Sequence, residues 1–298
     1  MKVKVPKIEG DYVNVYRPSG DVFPGPAVGP LEAGRYYDEW VANDHCFIKD
    51  DGGCWHAFGI THPWSGLEEV HAGEFLSFHA VAPMGTLKAV LSEGAWRDQA
   101  KVLPPSQRTG EMLENQAPYI VKSSGLYHML YGPSPLRHAT SRDLYTWTAQ
   151  GLLTDSPISR DPHVFLWEDA YYILTCGRLD VRMASLNNFA SCGETHAILK
   201  MQGNVDPESP TLVRHNDVFY LLVCGWNNVW DKKDLQGAYQ HITYVYQSED
   251  PFRFDADREI TRLNAHAPEV FQDEEGDWYI SSAEWPCRGV SIARLVWE

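Results

Sequence analysis

The chain is 298 residues long with 44% hydrophobic content, enough for one large domain or two small ones with a sizeable core. Its formal net charge of −15 argues against a nucleic-acid or anionic-membrane partner, because both depend on a basic footprint. No stretch approaches the roughly 18 uninterrupted apolar residues of a bilayer span, and the opening "MKVKVPKIEGDYVNVYRPSG" has no apolar signal core, so a cytoplasmic location is expected.

Taken in chain order, the elements are mostly hairpins. From Asn43, "NDHCFIKDDGGCWHAFGIT" reads as two strands about a turn at "DDGG". An insertion, "THPWSGLEEVHAGEFLSFHAVAP", follows it. "QAPYIVKSSGLYHMLYGP" from Gln116 is a second hairpin, and "RHATSRDLYTWT" from Arg137 reads as the strands that extend it. "RDPHVFLWEDAYYILTCG" from Arg160 and "ESPTLVRHNDVFYLLVCG" from Glu208 are the third and fourth. "YVYQSEDPFRFD" from Tyr244 extends the fourth, and "HAPEVFQDEEGDWYISSA" from His266 is the fifth, with its turn at "DEEG".

These five hairpins share one design. Each opens with a polar or small pair, then usually Pro, then a short apolar run, a polar turn and an aromatic-led second run. Pro stands at 118, 162, 210 and 268, with His45 in its place in the first copy, giving intervals of 73, 44, 48 and 58 residues. The middle intervals match the period of about 40–50 residues of a four-stranded propeller blade, and the insertion accounts for the long first one. An all-β, five-bladed β-propeller is therefore expected as a single domain over 1–298. Only about 30 residues follow Pro268, so the 1–40 segment is expected to close the last blade.

In a propeller the inner strand of every blade lines one axial channel. The opening pairs Asn43-Asp44, Gln116-Ala117, Arg160-Asp161, Glu208-Ser209 and His266-Ala267 should then surround a common mouth. Each carboxylate alone reads as a strand-start residue capping backbone donors. In register with a fivefold repeat, Asp44, Asp161 and Glu208 read as a catalytic set. Cleaving a glycosidic bond needs two carboxyl groups, one protonated to assist the leaving oxygen and one that attacks or activates water. A third carboxylate raises the pKa of the acid. Arg160 pairs with one of them and binds a sugar hydroxyl. Asn43, Gln116, His266 and Arg288 are the expected polar contacts to substrate, and Trp226 and Trp285, with Trp64, the stacking surfaces.

These residues resemble the five-bladed furanosidase propellers of glycoside hydrolase families 32, 43, 62 and 68, over nearly the whole chain. "WVANDHCF" resembles the family 32 opening motif with its catalytic Asp, "RDP" the transition-state-stabilising motif, and "ESP" the motif of the general acid. The resemblance implies Asp44 as nucleophile or general base, Asp161 as the orienting and pKa-tuning carboxylate, and Glu208 as the acid. His45-Cys46 replaces the Pro-Asn usual in family 32, and the β-sandwich of that family is not seen. A lone propeller resembles family 43, which inverts configuration, and that family implies a central ion near a channel histidine, here His266.

The reading is of a glycoside hydrolase cleaving an arabinofuranoside- or fructofuranoside-type bond in an oligosaccharide or small glycoside. No cofactor or catalytic metal is expected, since the 12 histidines show no i, i+4 ligand pair and the six cysteines no CxxC spacing. No GxSxG, P-loop or GxGxxG occurs. The alternatives are a propeller phosphorylase, which needs a basic phosphate site, and a non-catalytic carbohydrate-binding propeller.

Overall fold

The structure is a computed structural model that describes residues 4–66, 69, 71–108, 110, 112–153, 160–203, 205–226 and 242–298. It is a five-bladed β-propeller, with each blade a meander of antiparallel strands. Blade one comprises Asn43–Lys49, Trp55–Thr61, Leu76–Val81 and Arg97–Asp98. Blade two comprises Gln116–Ser123, Leu126–Gly132, Arg137–Ser141 and Trp147–Leu152. Blade three runs through His163–Trp167, Ala170–Cys176 and Asp180–Asn187 to His196–Lys200. Blade four comprises Asp206–His215, Val218–Trp226, Thr243–Ser248 and Glu259–Leu263.

Blade five takes its inner strands from the C-terminal end, at Val270–Gln272, Trp278–Ala283 and Val290–Trp297. Its outer strand is Pro6–Tyr16 from the N-terminal segment, antiparallel to Val290–Trp297. The two strands are joined by main-chain hydrogen bonds that continue to Val5 and Glu298. Pairing the two ends of the chain removes a sheet edge that would otherwise stand open.

Five layers of the core lie in the gaps between blades, and a sixth cluster of Phe23, Leu31, Trp40, Phe75 and Leu76 packs the N-terminal segment against blade one. Phe58 of blade one packs with Met129 and Tyr131 of blade two, and Leu130 of blade two with Ile173 and Leu186 of blade three. Leu174 and Met183 meet Leu221 and Val223 across the next gap, and Tyr220 and Leu222 meet Ile280 and Leu295 across the fourth. Trp55 and Phe78 close the ring against Tyr279, Ile292 and Val15. Because both faces of a blade are covered, strand Trp55–Thr61 is buried at every position and does not alternate buried with exposed residues.

Two of these layers hold paired histidines on neighbouring strands. His56 Nδ1 lies 2.8 Å from His79 Nε2 in blade one, and His128 Nδ1 lies 3.0 Å from His138 Nε2 in blade two. Burial pushes His79 down to about 3 and His138 down to about 4, with the neighbouring imidazole adding to both shifts. The folded values lie below the ordinary 6.5. The stability these neutral rings contribute is therefore complete above pH 6.5 and lost as pH falls toward 3–4. Each contributes a slope of about 1.4 kcal/mol per pH unit across that window. Replacing His79 with Gln should flatten the fall in stability below pH 6.5 by about that slope, as read by denaturant titrations at stepped pH.

Candidate active site

The mouth of the channel is shaped by an irregularity common to all five inner strands. In blade two Gln116 pairs with Gly132 and Tyr119 with Leu130, so three inner-strand steps face two on the partner. Glu208 and Thr211 stand in the same relation to Cys224 and Leu222. In blade three the Arg160 carbonyl accepts from Cys176 N while His163 pairs with Leu174, and in blade five the carbonyls of His266 and Glu269 accept from Ala283 N and Ser281 N. Blade one has the same extra residue between Asn43 and His45. Such a bulge bends the strand and re-aims a side chain. The residue before each proline takes a left-handed backbone: φ is 44° at Ala117, 53° at Asp161, 45° at Ser209 and 46° at Ala267. Non-glycine residues pay about 1–3 kcal/mol for that conformation, and it clusters at functional sites. At Gly59 a Cβ would come within 2.8 Å of Asn43 O, His45 Cβ and the Phe78 ring, so only glycine lets the second strand approach the bulge at Asp44.

The three carboxylates expected from the repeat meet in one run of hydrogen bonds. Ser209 Oγ donates to Asp44 Oδ1, and Ser209 N donates to Asp161 Oδ2 at 3.2 Å. Arg160 Nη1 donates to Asp161 Oδ2 at 2.7 Å and to Glu208 Oε1 at 3.4 Å, while its Nη2 is held by Pro207 O at 2.8 Å. Arg160 and Ser209 thus tie blades one, three and four together at the axis. The Asp161 and Glu208 side chains are only 12% and 17% exposed, so solvent screening of their charges is weak.

Electrostatics separate the members of this set. Burial, then the facing Asp161 and Glu208 charges, hold Asp44 well above the usual carboxylate range; the Ser209 hydroxyl opposes the rise and Glu74 adds to it. Glu208 is pushed up to about 7, by burial first, with Arg160 opposing and Asp161 adding. Burial works against the Arg160 charge, but Asp161 and Glu208 more than offset it and hold the guanidinium above its ordinary value. A carboxyl that keeps its proton near neutrality is what a general acid needs.

The other expected residues divide. Gln116 is at the mouth, where its Nε2 donates to Glu74 Oε2. Asn43 and His266 are both buried behind the carboxylates, with His266 Nε2 donating to Asn43 Oδ1 at 3.0 Å. His266 Nδ1 faces Cys224 Sγ at 3.4 Å; burial keeps that group a thiol, so the S–H donates to the ring. With both ring nitrogens engaged, His266 does not fit as a ligand of an axial ion. Trp285 is 2% exposed and edge-on to Trp64, so the expected stacking surface there is corrected: its faces are taken by packing, and Trp64 is the half-buried member of the pair. Arg288 lies beyond the fifth hairpin near Trp285 O and Glu284. Trp226 ends the second strand of blade four, and its side chain lies outside the described residues.

Two carboxyl groups at the axis carry no signal in the opening pairs. Glu74, from the insertion of blade one, is buried; it accepts from Gln116 and from His71 Nδ1 at 2.9 Å. The insertion interrupts the repeat, so no register pointed to Glu74. Partial burial works against a charge on His71, but Glu74 outweighs it and raises His71 above the ordinary imidazole value. Glu269 lies deeper in the channel, one step past Pro268. The carboxyl oxygens of Asp273, Glu275 and Asp277 lie within 4.8 Å of one another on the turn at the far end of the same hairpin, where Asp277 pairs with Arg294.

No protein-family model and no curated protein matches the sequence. The fold does match solved structures. An exo-1,5-alpha-L-arabinanase from a bovine ruminal metagenomic library aligns over 86% of this chain and 92% of its own at 16% identity, with a TM-score of 0.59. The Cellvibrio cellulosa alpha-L-arabinanase, solved with arabinohexaose, aligns over 88% and 94% at 13% identity, with a TM-score of 0.62. A thermostable family-43 glycoside hydrolase aligns over 87% and 91% at 12% identity, with a TM-score of 0.64. At such identities the likeness is one of fold.

The raised Glu208 has a consequence for stability. Its folded value of about 7 exceeds the ordinary 4.5, so the stability associated with its proton is complete below pH 4.5 and lost as pH rises through 7. Glu208→Gln should therefore be more stable than the wild type at pH 8, by on the order of 2 kcal/mol, with the gap closing toward pH 4.5. Thermal melts at the two pH values check this; a variant less stable at pH 8 would contradict the charge balance described.

Proposed function

We propose that the chain is a glycoside hydrolase cleaving a furanosidic bond in an oligosaccharide or small glycoside. The observation that carries this reading is the run Asp44–Ser209–Asp161–Arg160–Glu208, which joins three blades at the propeller axis. Sharing a fold with two arabinanases favours an arabinofuranoside over a fructofuranoside.

In this reading Glu208 gives its proton to the leaving oxygen and Asp44 acts as general base on the attacking water. The resemblance to family 43 implies this single displacement, with inversion. Asp161 and Arg160 set the charge between them: the guanidinium limits the rise of Glu208, and the carboxylate of Asp161 sustains it. Gln116, Glu74 and His71 form the wall of the mouth on the blade-one side.

Activity should fall as pH rises through about 7, where Glu208 loses its proton, and Glu208→Gln should abolish that alkaline limb. The same variant should lose about 10²–10⁴-fold in kcat/KM on arabino-oligosaccharides, the effect typical of a general acid. On a nitrophenyl arabinofuranoside the loss should be much smaller, because nitrophenolate leaves without a proton. Equal losses on both substrates would remove Glu208 from the acid role. Proton NMR of the first-formed anomer reads the displacement, and a retained anomer would make Asp44 a nucleophile instead of a base.

A further inference from the structure

Beneath the mouth the inner strands form a second ring. The residue after the proline of each repeat is Tyr119, His163, Thr211 or Glu269, and Cys46 follows His45 in blade one. The Tyr119 ring packs tilted against His163 with centroids 4.6 Å apart, and Thr211 Oγ1 donates to Pro268 O across the gap between blades four and five. A cavity of about 20 Å³ between the rings is lined by Asp44, His45, Tyr119, Ser209 and Glu269, among others. That is room for about one water.

Two nitrogens at this level of the channel are buried without a hydrogen-bond partner, Nδ1 of His163 in the ring and Nδ1 of His45 just above it, in side chains more than nine-tenths buried. The tautomer of His163 follows from its other nitrogen. Leu212 N donates to Nε2 at 3.3 Å, so the ring proton is on Nδ1. Nδ1 points toward Glu269 Oε2 at 3.9 Å, too far for a direct bond and a span that a water bridges. A second proton on His163 would turn Nε2 against the Leu212 N–H, so that backbone group keeps the ring neutral.

Glu269 therefore has no cation facing it in the ring. Around it stand Asp44, His45 and Cys46 from blade one, Tyr119 from blade two, Asp161 and His163 from blade three, Ser209 from blade four, and Ser281 from its own blade. Burial holds His45 neutral, Cys46 a thiol and Tyr119 a phenol. Asp44 in turn faces Asp161, Glu208 and Glu74. A second anion directly under Asp44 would be desolvated and repelled, and burial with the Asp44 charge does hold Glu269 well above the carboxylate range.

We propose that Glu269 is a positioning residue for Asp44: a carboxylic acid that stays protonated beneath the mouth and, through one water held in the cavity, donates a hydrogen bond that favours the ionised form of Asp44 against the burial and carboxylate charges that oppose it. Asp44 then accepts from the Ser209 hydroxyl at the mouth and from this water below. The proposal rests on the glycosidase reading for its kinetic consequence, but the proton on Glu269 is a property of the folded chain alone.

Two measurements test it. Glu269→Met, which removes the donor, should move the acid limb of kcat/KM on a nitrophenyl arabinofuranoside up by about one pH unit, and Glu269→Gln, a neutral donor, should restore it. A downward shift in Glu269→Gln would mean that an anion had been removed and would overturn the proposal, as would an unmoved limb in both variants. Infrared difference spectra of the chain with 13C-labelled glutamate, in a Glu208→Gln background, should show a protonated carboxyl band at neutral pH that Glu269→Gln deletes. No such band, an ionised Glu269, overturns the proposal even where activity is present. If no glycoside is cleaved, the infrared arm still decides, so the two readings fail separately. If Glu269→Met does not fold, the near-isosteric Glu269→Gln still decides: loss of the band supports the proposal and its persistence overturns it.

Discussion

Every inner strand carries one residue more than its partner can pair, and the extra residue sits at the channel mouth. That misfit is the constraint from which the site follows. A regular ladder would alternate the side chains of Asp44, Asp161 and Glu208 into the gaps between blades, where the apolar layers lie. The bulge takes each pair out of the alternation and aims it at the axis. The backbone is strained at Ala117, Asp161, Ser209 and Ala267, and the proline that follows each has no N–H with which to rejoin the ladder.

Gathering carboxylates creates a second problem, which is charge. Asp44, Asp161, Glu208, Glu74 and Glu269 lie around one narrow channel. Arg160 answers on one side, placed by the Pro207 carbonyl so that its fork reaches two carboxylates. His71 answers on the other, through Glu74. The remaining repulsion is relieved by protons that stay bound, and a proton that stays bound near neutrality is available for catalysis. The opening pair Arg160-Asp161 has little use in a strand; in the folded ring it is the counter-charge and spacer of the set.

Rigidity and reactivity come from the same arrangement. The five apolar layers are equivalent in kind, and the last closes only when Pro6–Tyr16 docks on Val290–Trp297. Blade one and blade four, which supply Asp44 and Glu208, are both braced by their neighbours on two sides. The distance between these carboxyls is thus set by the ring as a whole and not by any one loop, and loops are the less precise support for a site.

The repeat, the blade count and the common step that Asp44, Asp161 and Glu208 share in it are legible in the chain, because they depend on spacing and on residue type at fixed positions of a period. What spacing does not carry is depth and direction. His266 and Trp285 occupy the right steps of the repeat, yet both are buried, His266 against Asn43 and Cys224 and Trp285 against Trp64. Glu74 comes from an insertion with no counterpart in other blades, so only the folded ring brings it against Gln116. Glu269 had a place in the period, after the proline, but whether that place faces solvent, apolar packing or the axis depends on the bulge. The linear order of residues states which groups recur; burial and the charges across the channel arise only between strands far apart in that order, and they decide which of those groups hold protons.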